Sequence, residues 1–220
     1  MMTSAKSSLI VCLFGILLWE IHGQGIMIDP ISRSSAWRKG FPVQVNFNDH
    51  ELSCGGPTIQ FTQNNELCGA CGDDYAIPRP RPNENGGVYG TGVIVQRYRV
   101  SDAVINVTVK LITNDLGRFR FNLCPLKGPN DLETEMCFDK YPLRFNDRNS
   151  NYEFLLPNYQ TDFHLSVWLP SNLTCEHCVF RWTYEIGNHV GRYNNNNVMV
   201  GYGPQKTFRN CADIAIYSEI

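Results

Sequence analysis

The stretch Phe180-Arg181-Trp182-Thr183-Tyr184-Glu185-Ile186 decides the fold class of this chain. Large apolar side chains occupy every second position, and charged or hydroxyl-bearing side chains stand between them. Successive side chains of a β-strand point to opposite faces, so this period of two predicts a strand with one face on a core and the other in solvent. The aromatic side chains of Phe180, Trp182 and Tyr184 are expected on the core face.

The same alternation returns elsewhere in the chain, between turn-rich stretches such as 78–92, 127–131 and 187–203. No segment shows a long helical period, and only short helices near 35–52 or 131–140 are compatible with the pattern. We therefore predict an all-β fold, an immunoglobulin-like antiparallel β-sandwich with long loops and disulfides. The other predicted strands are 104–111, 119–123, 163–169 and a segment around Ile214 and Ile216.

The first 23 residues have the features of a secretory signal peptide, with Lys6 ahead of an apolar core over 9–19. This core is too short to span a bilayer, and no later segment reaches ~20 apolar residues, so we predict a secreted, extracellular protein. Cleavage after Gly23 puts a small residue at the last signal position and leaves Gln24 as the new N-terminus. Cleavage before His22 would put bulky Ile21 there and is disfavoured. Residues 24–220 then suit one sandwich domain.

One of the nine cysteines, Cys12, lies in the signal peptide. An even number of remaining cysteines in a secreted chain favours four disulfides over zinc ligands, without fixing which cysteines pair. Secretion also makes Asn106-Val107-Thr108 and Asn172-Leu173-Thr174 candidate glycosylation sites, although Asn106 must face solvent from a predicted strand to be used. The predicted disulfide cysteines are Cys54, Cys68, Cys71, Cys124, Cys137, Cys175, Cys178 and Cys211.

The formal charge of the chain is −2 at pH 7, which is close to balance. This charge predicts neither a nucleic acid nor an anionic membrane surface as a partner. The chain has no Gly-x-Ser-x-Gly elbow, phosphate-binding loop or His-Glu-x₂-His motif, so several common enzyme classes find no support. Nothing in the sequence specifies an oligomeric state.

Six segments in the same order resemble insect-type lytic polysaccharide monooxygenases of auxiliary activity family fifteen, which carry the chitin-binding type-4 fold. The resemblance spans nearly all of 24–220 and implies a single domain of this kind. Its segments are built around Asp29-Pro30, Phe47-Asn48-Asp49-His50, Cys68-Gly69-Ala70-Cys71, Phe119-Arg120-Phe121-Asn122, Cys175-Glu176-His177-Cys178 and Cys211-Ala212-Asp213-Ile214.

The resemblance also implies where a copper site would lie. In active members the N-terminal histidine binds copper through its α-amine and imidazole, a second histidine adds a third nitrogen, and a tyrosine lies in the axial direction. Here Gln24 stands at the first position, Asp115 stands at the second, and Tyr184 matches the axial tyrosine. His22 would supply the first position only if it were the mature N-terminus. We therefore expect a degenerate copper site and no confident catalytic residue.

Each of these positions also has a plainer interpretation. An N-terminal Gln24 commonly cyclises to pyroglutamate and so loses its amine. Asp115, between Asn114 and Leu116-Gly117, is typical of a turn whose side chain bonds local backbone N–H groups. A carboxylate suits Mg²⁺, Ca²⁺ or Mn²⁺ better than copper. Tyr184 is expected to pack in the core with its hydroxyl on one partner.

The leading functional prediction is a non-catalytic protein, without a cofactor, that binds chitin or a related extracellular polysaccharide. One alternative is an active copper monooxygenase that begins at His22 and uses Asp115 as a weaker ligand on chitin or cellulose. A second alternative is a structural or signalling protein on the same sandwich. Candidate aromatic contacts for a sugar polymer are Trp37, Tyr75, Tyr89, Tyr193 and Tyr202.

Overall fold

The computed structural model describes residues 25–192 and 197–218. The predicted signal peptide with Cys12 and His22, the predicted N-terminal Gln24 and the candidate aromatic Tyr193 therefore lie outside the described residues. The strands in the described ranges are β1 (Gly25–Asp29), β2 (Gln96–Arg99), β3 (Val104–Leu111), β4 (Arg118–Pro125), β5 (Phe154–Leu155), β6 (Asp162–Trp168), β7 (Cys175–Glu185), β8 (Val190–Arg192), β9 (Val198–Val200) and β10 (Thr207–Tyr217).

Two β-sheets form the sandwich. The smaller sheet has the strand order β1-β3-β6, and the larger has the order β2-β10-β7-β4-β5. All neighbours are antiparallel except β2 and β10, which run parallel at one edge of the larger sheet. The short hairpin of β8 and β9 pairs only with itself among the described strands. The predicted all-β sandwich is confirmed, with one parallel pair that sequence periodicity does not reveal.

The core between the two sheets is rich in aromatic rings. The ring of Phe119 packs edge-on against Phe163 at 5.0 Å, Trp182 at 5.2 Å and Tyr184 at 5.1 Å between ring centroids. Phe163 belongs to the smaller sheet and the other three to the larger, so these contacts join the two layers. Burial of one such side chain contributes about 1.5–3 kcal/mol.

Strand β7 departs from the sequence prediction because both of its faces are buried. The predicted solvent face carries Arg181 and Thr183, yet each is only 4% exposed. The short helix α1 (Glu135–Asp139) and the loop that contains Ala70 cover this outer face. The Arg181 guanidinium lies 3.8 Å from the Phe138 ring centroid and 2.9 Å from Glu135 Oε1. The half-buried prediction for this strand is therefore wrong.

The helices of the described chain are short. They are the 3₁₀ segments Arg33–Lys39 and Val100–Asp102, the π-type turn Ile59–Gln63, and α1. None of the helices within 25–192 and 197–218 is long and apolar enough to cross a bilayer.

The eight predicted cysteines form four disulfides, which confirms the predicted number. The pairs are Cys54–Cys68, Cys71–Cys211, Cys124–Cys137 and Cys175–Cys178. Cys71–Cys211 spans 140 residues of chain and fastens the Cys68–Cys71 loop to β10. The two Cys-x₂-Cys motifs do not come together, so they do not form a zinc ribbon.

A buried ion cluster fastens the 3₁₀ segment Arg33–Lys39 to β10. Arg33 donates from Nε to Asp213 Oδ2 at 2.8 Å and from a terminal nitrogen to Asp213 Oδ1 at 2.6 Å. Arg33 also pairs with Glu133, and His177 Nε2 lies 2.7 Å from Asp213 Oδ1. The side chains of Arg33 and Asp213 are each 2% exposed, so the two charges balance one another inside the protein.

Candidate functional site

Strand ends converge at one end of the sandwich, which we call the Asp115 end. Gly25 at the start of β1 pairs with Leu111 at the end of β3, and its N–H donates to His50 O at 3.3 Å. A Cβ on Gly25 would lie 2.5 Å from Leu111 Cδ2 and 3.0 Å from Trp182 Cη2. A larger residue would require Leu111 or Trp182 to shift, so the chain passes close over the core at the place where the described part of β1 begins.

The loop between β3 and β4 uses Asn114, not Asp115, for the predicted turn chemistry. Asn114 Oδ1 accepts from Leu116 N at 2.8 Å, and its Nδ2 donates to Pro157 O at 2.8 Å and Gln160 O at 2.7 Å. Leu116 and Gly117 both have positive φ, 57° and 93°, which closes the turn. The Asn114 side chain thus holds the loop to its own backbone and to the loop between β5 and β6. The Asp115 side chain does not take part in this turn.

Asp115 is held through its backbone. Its N–H donates to the Tyr184 hydroxyl at 3.1 Å, and its carbonyl accepts from Gly187 N at 3.1 Å. Its side-chain Oδ2 is buried and has no hydrogen-bond partner within the described ranges. A buried carboxylate oxygen without a donor is costly, so this atom is expected to be matched by a nearby positive charge.

Tyr184 lies under Asp115 in the core. The ring is fully buried and stacks on Phe208 at 5.9 Å and Trp182 at 6.0 Å between centroids. Burial raises the pKa of Tyr184 above its usual value, opposed by the hydrogen bond from Asp115 N–H and assisted by the Asp115 carboxylate. The phenol therefore stays protonated at neutral pH.

Lys206 brings a positive charge to this end, which sequence reasoning missed. Its carbonyl accepts from Ile186 N at 3.1 Å, and its Nζ lies 4.7 Å from the Phe208 ring centroid, in the stack that contains Tyr184. Burial lowers the pKa of Lys206, while the carboxylates of Glu51 and Asp115 act in the opposite direction. No local motif around Lys206 indicates this, because its place at this end follows from the backbone hydrogen bond with Ile186, which is distant in the sequence.

The surface beside Asp115 is a shallow pocket of about 440 Å³ bordered by Asn158, Tyr159 and Asn188. The Tyr159 side chain is 97% exposed, and its φ of 65° projects it from the loop between β5 and β6. Phe47, in the segment that leads to His50, is 78% exposed. Neither aromatic was selected from the sequence; the available signal was an aromatic residue among polar turn residues.

The aromatic candidates selected from the sequence occupy mixed environments. Trp37 is half-buried against Phe47 at 5.7 Å between ring centroids, and Tyr89 is also half-buried. Tyr75 is 42% exposed with the Arg81 guanidinium 4.7 Å from its ring centroid, and Tyr202 is 39% exposed next to the β8–β9 hairpin. Among these, only Tyr202 and the Trp37–Phe47 pair belong to segments that reach the Asp115 end.

The donors described at the Asp115 end do not fit copper. Copper in proteins of this kind is bound by nitrogen, whereas this end offers the Asp115 carboxylate, a protonated Tyr184 and the Lys206 ammonium, which has no lone pair. His50 lies 3.7 Å from both the Asp49 and the Glu51 carboxylates. The one described group of three potential metal donors is Cys71, Glu133 and Cys211, whose two sulfurs are joined in a disulfide.

Both candidate glycosylation sites are exposed. Asn106 lies on β3 with its Oδ1 accepting from Ser166 Oγ at 2.9 Å, and it faces away from the core as the prediction requires. Asn172 lies in the loop between β6 and β7. The predicted glycosylation of either residue remains a prediction.

The fold and the Asp115 end together define a class: disulfide-bonded β-sandwiches of the lytic polysaccharide monooxygenase kind. The chain belongs to the family described as lytic polysaccharide mono-oxygenase, cellulose-degrading, whose model matches residues 22–214. It is similar to the solved structure of a lytic polysaccharide monooxygenase AA15 from Thermobia domestica in the Cu(I) state. The two chains are 41% identical, with a TM-score of 0.83, over 88% of this chain and 98% of the other.

The recognition of an insect-type, family-fifteen protein from its six segments is thus confirmed. No curated protein matches the chain. Copper is the metal that this family normally uses, and polysaccharides are its substrates.

Proposed function

We propose that this chain is a secreted protein that binds chitin or a related extracellular polysaccharide through the Asp115 end without oxidising it. The observation that carries the proposal is that Asp115, bonded through its N–H to the Tyr184 hydroxyl, stands where the family resemblance expects a copper-binding histidine, with the Lys206 ammonium close enough to attract its carboxylate. Family membership indicates a polysaccharide as the ligand. The residues at the Asp115 end argue against copper-dependent oxidation.

Electrostatics disfavours a metal at this place. A cation that entered near Asp115 Oδ2 would meet the positive charge of Lys206 in a partly buried setting, where charges are weakly screened. The Lys206 ammonium attracts the Asp115 carboxylate, so positive charge is already present where a metal would bring it. The carboxylate is also a poor substitute for an imidazole toward Cu(I), a soft ion that prefers nitrogen and sulfur.

Contact with a sugar polymer fits the exposed groups at the same end. Tyr159 presents its ring to solvent beside Asp115, and a pyranose ring can lay its C–H face on such a ring. Phe47 is a second exposed ring, on the segment that leads to His50. Asn158 and Asn188 border the pocket beside Asp115 and bring amide donors and acceptors for sugar hydroxyls. Secretion is supported by the signal-like residues 1–23, by four disulfides, and by a family whose members are generally secreted.

The test is a pull-down of the secreted protein on insoluble chitin and on cellulose, with Tyr159→Ala and Tyr217→Ala as a matched pair of variants. Tyr217 is 40% exposed and lies beside Arg99 at the opposite end of the sandwich, so its loss controls for a general surface effect. We expect Tyr159→Ala to weaken binding severalfold and Tyr217→Ala to leave it unchanged. Absence of binding by the unaltered protein to every polysaccharide tested would refute the proposal and favour the structural or signalling alternative.

A second candidate, an active copper monooxygenase, is favoured by one observation: the family model matches from residue 22, which is His22. The mass of the N-terminal peptide of the natively secreted protein separates the two candidates. We expect pyroglutamate at Gln24, which has neither an imidazole nor a free amine. A peptide that begins at His22, with reductant-dependent release of oxidised oligosaccharides under copper, would establish the enzyme instead.

A further inference from the structure

A groove of about 820 Å³ lies at the opposite end of the sandwich, which we call the Trp168 groove. Its walls include Trp168, Tyr152, Arg144, Lys140, Ser150 and Ser171. Strand β6 begins at Asp162 beside the Asp115 end and finishes at Trp168, so its seven residues separate the two sites by roughly 20 Å. The groove therefore takes no part in the site described above.

Two aromatic rings are presented to solvent in this groove. Trp168 is 44% exposed and Tyr152 is 46% exposed. Both residues are linked to Arg144: the backbone N–H of Trp168 donates to Arg144 O at 2.9 Å, and Arg144 Nε donates to the Tyr152 hydroxyl at 3.2 Å. A pair of exposed rings beside a polar wall is suited to a ligand with one apolar and one polar face, and this is the character of a pyranose ring.

Polar side chains of the groove are available for such a ligand. The side chains of Lys140, Ser150 and Ser171 make no hydrogen bond or ion pair to any other residue that the structure describes. Sugar hydroxyls both donate and accept, so an ammonium and two hydroxyls provide complementary partners. The walls thus combine stacking surface with unused hydrogen-bonding groups.

The chain itself brings an attachment point for a sugar to the edge of this groove. Residues 170–173 form a turn in which Leu173 N donates to Pro170 O at 3.2 Å, and exposed Asn172 occupies its third position. Ser171, the residue before it, already belongs to the groove wall. Asn172-Leu173-Thr174 is a glycosylation sequon four residues beyond Trp168.

We infer that an N-linked glycan on Asn172 folds back into the Trp168 groove and packs its first sugars on Trp168 and Tyr152. The glycan then covers the exposed rings and stabilises the end of the sandwich opposite the Asp115 end. This inference rests on the secretion included in the proposed function, but not on binding of any external polysaccharide.

The second sequon provides the matched control. Asn106 is exposed in the middle of β3, and its neighbourhood is a smaller pocket of about 380 Å³ bordered by Asp29, Thr108 and His164. No tryptophan or tyrosine lines that pocket. A glycan attached to Asn106 would therefore lack a ring of that kind to stack on, and we expect it to leave stability unchanged.

The test is a double-mutant cycle on melting temperature, with the full chain secreted from insect cells. Asn172→Gln is expected to lower the melting temperature by about 2–4 °C in the native background and by less than about 1 °C in Trp168→Ala. Tyr152→Ser provides a second background with the same expected loss of coupling, in case Trp168→Ala folds poorly. Asn106→Gln should change the melting temperature by less than about 1 °C. An equal shift in all backgrounds, or no shift, would overturn the inference.

Quenching of tryptophan fluorescence by acrylamide identifies the occupant. The glycosylated protein should be less quenched than Asn172→Gln, and the difference should vanish in Trp168→Ala. If Trp168 is fully quenched in the glycosylated protein and added chitotriose protects it in Asn172→Gln, an external sugar is the occupant and the inference fails. Chitin pull-down with Tyr159→Ala reports on the Asp115 end alone, so the failure of one proposal is not mistaken for that of the other.

Discussion

The Tyr184 hydroxyl contacts the backbone of Asp115 from within the core. It accepts the Asp115 N–H at 3.1 Å from a ring that is otherwise enclosed by Phe119, Trp182 and Phe208. This bond positions the loop between β3 and β4 on the sandwich, whether or not a metal is bound. A tyrosine that is axial to copper in the family therefore has a structural role here that needs no copper.

Replacement of Tyr184 by phenylalanine should destabilise the fold without creating a cavity. The Asp115 N–H would lose its acceptor, which costs about 1–3 kcal/mol when the group is shielded from water. Urea denaturation measures the change in the free energy of unfolding. The control is Tyr159→Phe, which removes a hydroxyl from a 97% exposed side chain and should change stability by less than about 0.5 kcal/mol. Equal effects of the two variants would contradict the assigned role of Tyr184.

Among the elements, the 3₁₀ segment Arg33–Lys39 is joined to β10 by buried charges. Burial alone would raise the pKa of Asp213, but the Arg33 guanidinium and His177 hold it below its usual value. The Asp213 carboxylate on β10 is therefore ionised at neutral pH, paired with Arg33 of the 3₁₀ segment and shielded from solvent. The cluster acts as a fastening between this segment and the larger sheet.

Asp213→Asn should be strongly destabilising, by about 3–5 kcal/mol, because it leaves the Arg33 charge buried with fewer partners. The matched control is Asp162→Asn, whose ion pair with Lys110 is 3.8 Å long and has both side chains more than half exposed. Loss of that surface pair should cost about 0–1 kcal/mol. Guanidinium-induced unfolding of both variants gives the comparison, and similar losses would contradict the buried role.

The same cluster predicts a pH dependence. A folded-state pKa below the unfolded value means that the stabilisation from Asp213 is complete above about pH 4 and is lost as the pH falls through the lower, folded value. The unfolding free energy of the native protein should therefore drop on acidification below about pH 4. The difference between the native protein and Asp213→Asn should narrow over that interval, and a constant difference would exclude the carboxylate as its source.

The disulfides differ in the length of chain that they close. Loss of Cys71–Cys211 as an alanine pair should cost about 5 kcal/mol from loop entropy, because 140 residues separate the two cysteines. Loss of Cys175–Cys178, with a separation of 3, should cost about 1.5 kcal/mol. Thermal unfolding of the two double-alanine variants tests the ranking. A larger effect of the short link would show that local strand geometry outweighs chain entropy.

The elements also show how far sequence reasoning extends. The alternation of apolar and polar residues places β3, β4, β6 and the end of β10 correctly, because alternate side chains of a strand point to opposite faces. The alternation wrongly predicts that Arg181 faces solvent. The outer face of β7 is covered by α1 and by a loop that is distant in the sequence. Sequence reasoning also misses Lys206 and Tyr159, whose positions at the Asp115 end depend on strand pairing and on loops far away in the sequence.

Taken as one body, the protein is nearly neutral, and the polysaccharide that we propose as its ligand is uncharged. Binding to chitin should therefore change less than about twofold between 20 and 500 mM NaCl, because stacking and neutral hydrogen bonds are little screened by salt. Equilibrium depletion of the protein by chitin particles gives the affinity at each salt concentration. Tyr159→Ala should be weaker at both concentrations, and a tenfold loss of affinity of the native protein in high salt would indicate an ionic partner.

The direction of β10 determines how the protein can be attached to a surface. The strand begins at Thr207 beside Glu185, at the Asp115 end, and runs to Tyr217 beside Arg99, at the far end. A tether fixed beyond Tyr217 would hold the molecule upright on a sensor or a bead with Tyr159 outward. A tether placed before Gly25 would emerge next to Leu111 and obstruct that face. The choice of immobilisation chemistry therefore determines whether a binding assay on this protein can report any affinity.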